Sequence, residues 1–145
     1  MFKHILLPTD GSDSSDKATQ AAVRMAREMN AKVTAVHVVP PFHTFTYRPD
    51  MIEDTEEQYE IDSEAVARKI LSTVEQQARV DGVVCESVVI RSDDIWQSIL
   101  HTATERNCDL IAMASHGRSG VRALLLGSET QKVLTHSQVP VLVFR

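Results

Sequence analysis

Five short apolar runs, each separated from the next by a stretch of helical periodicity, restrict this chain to few folds. Ile5-Leu6-Leu7 is the first run and ends at Pro8-Thr9-Asp10-Gly11. Residues 33–39, 83–90 and 110–114 form three more, and Val139-Pro140-Val141-Leu142-Val143-Phe144 forms the last. They are short and rich in β-branched or aliphatic residues, as strands are. Between them, Ala18, Ala22, Met25, Ala26 and Met29 recur at helical spacing up to Asn30. Ile61, Ala65, Ile70, Leu71, Val74 and Ala78 mark a long helix that stops by Gly82, and Ile95, Ile99 and Ala103 one that stops at Asn107. Residues 128–136 read as a last helix. Strands apolar on both faces, alternating with amphipathic helices, imply a parallel sheet covered on both sides. Right-handed crossovers then give a doubly wound, Rossmann-like α/β sheet of five parallel strands, expected in the order 3-2-1-4-5. There is no internal repeat and no second core, so residues 1–145 are expected to be one domain.

Bulk properties narrow the function. At 145 residues the chain is long enough to bury a continuous core, and 43% apolar with 24% charged residues is a globular balance. The formal net charge of -5 argues against a nucleic-acid partner, because phosphate backbones need clustered Lys and Arg. The opening residues are too short an apolar run for a signal peptide, and no stretch is long enough to insert in a membrane. Cys85 and Cys108 lack a CxxC or zinc-type spacing and read as reduced thiols of a cytoplasmic protein.

One segment breaks the alternation. Residues 40–60 show no clean period, contain the aromatics Phe42, Phe45 and Tyr47, and run into an acidic stretch. Eight of the fifteen residues from 50 to 64 are Asp or Glu. A solvated, variable excursion is the favoured reading, ahead of a lid or partner surface. Nothing in the spacing of these carboxylates and His43 specifies a metal site.

In doubly wound sheets ligands bind outside the carboxyl ends of the strands, where the strand order reverses. Two polar loops suit such a crevice. The first, Pro8-Thr9-Asp10-Gly11-Ser12, follows strand one. The second, Ser115-His116-Gly117-Arg118-Ser119-Gly120, follows strand four and leads to Gly127-Ser128. Gly117 and Gly120 permit close backbone approach and φ > 0, and successive N–H groups in such turns form an anion site. Ser128-Glu129-Thr130-Gln131 has the S-x-x-Q form of a capping box, and a helix N-terminus suits phosphate. On spacing alone, phosphate binding and a plain strand-to-helix connection remain equally open. Neither a Walker A loop nor GxGxxG is present.

The pattern as a whole is more specific. Met113-Ala114-Ser115-His116-Gly117, nine residues, then Gly127-Ser128 resembles the ATP-binding signature of the universal stress protein family, Gly-x-x-Gly, nine residues, Gly-Ser or Gly-Thr. The opening Ile5-Leu6-Leu7-Pro8-Thr9-Asp10-Gly11-Ser12, His37-Val38-Val39 and the closing Val139-Pro140-Val141-Leu142-Val143 are similar to that family too. The likeness spans the chain and is weakest over residues 40–60. Two departures stand out. Ala114 replaces the signature's first glycine, and Glu129 puts a negative charge after Ser128; both are expected to weaken ATP binding.

The resemblance implies a stress-response protein that binds ATP, with Mg²⁺, as a switch or sensor. It implies that Asp10 accepts hydrogen bonds from the adenosine part, with Pro8 and Thr9 shaping that wall. Val38 would meet adenine through its backbone, and Met113 would line the base or ribose pocket beside Ala114. Gly117, Gly127, Ser128 and Thr130 would hold phosphates, with His116 and Glu129 nearby. Arg118 and Arg122 read more readily as solvated charges than as phosphate ligands. Asp10 before Gly-Ser also suits a turn or cap. Ile95, Trp96 and Ile99 read as a packed helix face. No nucleophile–base pair or water-activating motif is evident, so at most slow ATP hydrolysis is expected. The proline-bearing last strand fits a sheet edge, and in the family such a strand commonly pairs two subunits, which implies a homodimer. Two alternatives stand: a nucleotide-independent interaction module, and an adenylate-forming or ATP-pyrophosphatase enzyme, whose Ser-Gly-Gly-x-Asp-Ser loop is poorly matched by Asp10-Gly11-Ser12-Asp13-Ser14.

Overall fold

A computed structural model of the chain describes residues 1–43, 55–117 and 126–145. Its elements run β1 (His4–Pro8), α1 (Asp13–Met29), β2 (Lys32–Val39), α2 (Glu56–Val80), β3 (Cys85–Arg91), α3 (Ile95–Glu105), β4 (Leu110–Ala114), α4 (Ser128–His136) and β5 (Val141–Phe144). The strands form one parallel sheet in the expected order β3-β2-β1-β4-β5.

The pleat divides the core in two. Ile5 and Leu7 of β1, Val33 and Ala35 of β2, and Leu110 and Ala112 of β4 face one side, where Ala22, Val23 and Ala26 of α1 and Leu71, Val74 and Ala78 of α2 cover them. Leu6, Val36, Ile111 and Met113 face the other side, under Ile99 and Ala103 of α3 and Val133 of α4. Both sides of β1 and β4 are therefore buried, which is why those strands read as unbroken apolar runs. Full burial of an aliphatic side chain such as Leu71 is worth about 1.5–3 kcal/mol.

Local chemistry fixes the element ends. Ser12 caps α1 by accepting from Ser15 N–H, and Asn30 closes it in the left-handed conformation at φ 54°. The long helix α2 begins at Glu56, within the acidic run expected to be irregular. Thr55 caps it, its hydroxyl accepting Gln58 N–H at 3.1 Å, and most acidic residues of that first stretch face solvent. Near its start Tyr59 donates to Pro40 O at 2.7 Å and packs on Phe42, just beyond the end of β2. His43 pairs with Asp93 at 2.8 Å. Phe45 and Tyr47 lie outside the described residues.

Two strands start later than their apolar runs. Val83 N–H closes the end of α2 by donating to Ala78 O, so β3 begins at Cys85. Val139 is held in a turn by Ser137, so β5 begins after Pro140. The capping box at Ser128 does not form. Gly127 is the N-cap of α4, Ser128 is its first residue, and Gln131 donates to Leu126 O instead. No described helix is long and apolar enough to cross a membrane.

A crevice between the ends of β1, β2 and β4

The strand order reverses between β1 and β4, because β2 follows β1 on one side while β4 lies on the other. A crevice of about 260 Å³ opens there, at the carboxyl ends of the strands. Pro8, Thr9 and Asp10 come to it from the end of β1 and the loop after it, Val38 from β2, Met113, Ala114, His116 and Gly117 from the end of β4 and the loop after it, and Gly127, Ser128, Glu129 and Thr130 from the N-cap and first turn of α4. Arg118, with Gly120 and Arg122, lies outside the described residues.

Asp10 divides its two oxygens between two surroundings. Oδ1 accepts from Ser12 N–H at 3.0 Å and from the Ser15 hydroxyl at 2.8 Å, so the carboxylate is fixed in the turn that starts α1. Oδ2 stands against Gly117, in the space a Cβ there would need. Both readings of Asp10, turn residue and crevice residue, thus hold at once. Gly117 is not in the left-handed region, so its missing side chain serves close approach and nothing else. Gly127 is likewise tight: its N–H donates to Ser115 O, and a Cβ would lie 3.2 Å from His116 Cα. Its N–H is therefore committed to the chain itself and not aimed at a ligand.

Thr130 is buried, and its hydroxyl donates to Ala114 O at 3.0 Å. That bond ties α4 to the end of β4, so the Thr130 hydroxyl proton is spent on architecture. The N–H groups of the first turn of α4 have no carbonyl a turn below to bond, which leaves a partial positive charge at that helix end. Glu129 Oε1 stands 3.6 Å from Lys132 Nζ. Its other oxygen accepts from Trp96 N–H, at 3.0 Å, in the first turn of α3.

Five lining residues escaped sequence reasoning: Ser15, Val36, His37, Ile95 and Ile99. Ile95 and Ile99 were expected only to pack as a helix face. Ile99 does pack, at 2% exposure, but both also form a wall of the crevice, and Ile95 is 41% exposed at its mouth. A 3.6-residue period marks an apolar face without saying whether it meets core or ligand. His37 Nδ1 donates to Thr9 O at 2.8 Å and braces the loop after β1 from β2. The two are far apart in sequence, so no local signal points to the pairing. Ser15 has a local signal, since Asp-x-Ser-x-x-Ser lets one Asp oxygen accept both the Ser12 N–H and the Ser15 hydroxyl.

The displaced titrations lie elsewhere. At the opposite end of the sheet, burial and then Lys32 lower the pKa of His4, whose Nε2 is paired with the Thr34 hydroxyl at 2.7 Å. Burial alone would raise Asp109, but the N–H groups of His4 and Lys3 that it accepts outweigh this and hold it below the usual carboxylate range. Burial pushes both thiols up, Cys85 and Cys108 each to about 11. No group of three or more His, Cys, Asp or Glu side chains that could hold a metal converges among the described residues.

This geometry has close relatives. The universal stress protein YxiE of Bacillus subtilis is 34% identical over 152 aligned residues, covering all of both chains. Among solved structures, the universal stress protein UspA from Lactobacillus plantarum superposes with a TM-score of 0.84 at 23% identity, covering 99% of this chain and 98% of that one. A universal stress protein solved in complex with cAMP gives 0.73 at 26% identity, covering 99% and 97%. The family model described as "Universal stress protein family" matches residues 1–145. The chain belongs to the universal stress protein family.

Proposed function

We propose that the crevice binds an adenine nucleotide, ATP with Mg²⁺ in the first instance, and that occupancy rather than rapid turnover is what the protein uses. The observation that carries this reading is the meeting of Asp10 and Gly117 at the strand-order switch, beside the N-terminus of α4. A carboxylate there suits ribose hydroxyls, which are donors. Val38, Met113, Ile95 and Ile99 supply an apolar wall for a flat base. The open N–H groups at Ser128 and Glu129 suit phosphate oxygens. The volume of about 260 Å³ is near the lower end for ligand sites and matches a nucleoside better than a larger cofactor. The relative solved with cAMP supports an adenine nucleotide as the ligand class.

Mg²⁺ fits this site only as a passenger. With no cluster of three ligating side chains among the described residues, the ion would be held chiefly by phosphate oxygens and water. Pro8 and Thr9 shape the sugar wall, and His116 and Ala114 line the floor beside Gly117. Nucleotide that orders these loops would favour one conformation by its differential affinity, which is the physical content of a switch or sensor. We further propose that the protein is a cytoplasmic homodimer joined through β5, the outer strand of the sheet on the β4 side. Its two free cysteines suit a reducing compartment.

The test is to release bound small molecules from the purified protein by acid and identify them by chromatography. An adenine nucleotide at near-stoichiometric yield is expected. Absence of any nucleotide, together with no binding of added ATP, would favour the nucleotide-independent interaction module instead.

A further inference from the structure

We propose that Glu129 is a positioning residue that sets the base wall of the crevice from the phosphate end. This rests on the nucleotide reading of the crevice. Glu129 belongs to the first turn of α4, yet its Oε2 accepts the backbone N–H of Trp96 in the first turn of α3 at 3.0 Å. That N–H is one of the unpaired donors every helix start leaves. A cap side chain normally takes it, but Asp94, the N-cap of α3, makes no such bond. The cap of α3 is therefore supplied by another helix.

Trp96 is also held at its other end. Its ring stacks on His136 in the last turn of α4, with centroids 4.6 Å apart and planes at 23°. α4 thus grips one residue of α3 twice, by backbone at its first turn and by ring at its last. The neighbouring residue in the chain, Ile95, is the exposed apolar member of the crevice wall. Moving the start of α3 moves Ile95. One carboxylate consequently links the helix end that faces phosphates to the side chain that faces the base, and base affinity depends on a residue that does not contact the base.

The acceptor, rather than the charge, is what this role needs. Glu129→Gln keeps an oxygen for Trp96 N–H, whereas Glu129→Ala removes it. Trp96 is the chain's only tryptophan, so its fluorescence and its backbone amide resonance report the α3–α4 junction without any ligand. In the unliganded protein, Glu129→Ala is expected to shift both signals and Glu129→Gln to leave them near wild type. An unmoved Trp96 in Glu129→Ala overturns the positioning role whether or not nucleotide binds.

The ligand arm compares adenosine with tripolyphosphate, by calorimetric titration of wild type and both variants. Glu129→Ala is expected to weaken adenosine about tenfold, the equivalent of about 1.4 kcal/mol, while tripolyphosphate binds as well or better. Glu129→Gln should hold adenosine within about twofold of wild type, since a neutral acceptor retains most of a capping bond. A merely structural residue would weaken both probes together. Equal losses for adenosine and tripolyphosphate, or equal adenosine losses in both variants, overturn the proposal. Failure of wild type to bind either probe would instead count against the nucleotide site itself, with the Trp96 signals still deciding the positioning role.

Discussion

The carboxylate of Asp10 fills the space that a side chain at residue 117 would need, so the loops after β1 and β4 meet through a missing Cβ. Because Gly117 is not held in a left-handed conformation, alanine there is a pure test of space. Gly117→Ala is expected to displace Asp10 and to weaken adenine nucleotide binding at least tenfold. Calorimetry would read the loss, and circular dichroism should show an unchanged fold. Wild-type affinity in this variant would mean that the site lies elsewhere.

The N-terminal end of the sheet should make the protein acid-sensitive. His4 is held below its ordinary value of 6.5, so the unfolded chain takes up a proton there more readily than the folded one. Its contribution to stability is complete above pH 6.5 and is lost as pH falls from there through its lower folded value. Asp109 is also depressed, so its contribution is complete above its ordinary 3.8 and is lost as pH falls from there toward the folded value. Melting temperature should therefore fall in two stages on acidification. His4→Gln should flatten the first stage and Asp109→Asn the second.

Both thiols should be slow to react. Each is raised from an ordinary 9.0 to about 11, chiefly by burial, which cuts the thiolate fraction at pH 8 by about a hundredfold. Iodoacetamide should label the native protein slowly and the urea-unfolded protein at the rate of a free thiol. Fast labelling of the native chain would show that the strand-end packing around Cys85 and Cys108 opens easily.

The edge at β5 yields a separable test of the dimer. Pro140 O and Phe144 O accept from Ile111 N–H and Ser115 N–H of the β4 side. In a parallel strand a residue's N–H and C=O point the same way and alternate, so Val141 and Val143 present theirs outward. Val143→Pro removes an outward donor without touching the pairing to β4. Sedimentation should show wild type as a dimer at micromolar concentration and Val143→Pro as a folded monomer. A wild-type monomer would contradict the proposed assembly.

How far the sequence carried depended on whether a feature was local. β1 and β4 are buried on both faces, so unbroken runs such as Ile5-Leu6-Leu7 declared them, and the alternation with helices then pointed to a doubly wound parallel sheet. The start of α2 was legible in principle as Thr55-x-x-Gln58, yet its exposed carboxylates hid the helical period. Ser128 misled because its hydroxyl pattern suits a cap, while the tight packing of Gly127 on His116 puts the cap one residue earlier. Pairings such as His37 with Thr9, or Trp96 with Glu129, join residues that only the folded sheet brings together. Gly117 does stand in a close approach, to Asp10, without the left-handed backbone that glycine would permit.

Nucleotide binding at the crevice is tested most directly by the melting temperature of the nucleotide-free protein with and without millimolar Mg-ATP. Ligand at a hundred times its dissociation constant adds about 2.7 kcal/mol to the folded state, which for a chain of this size raises the midpoint by roughly 5–10 °C. That rise is expected in wild type and is expected to be lost in Gly117→Ala. An unchanged midpoint in wild type at millimolar Mg-ATP would contradict nucleotide binding at the crevice.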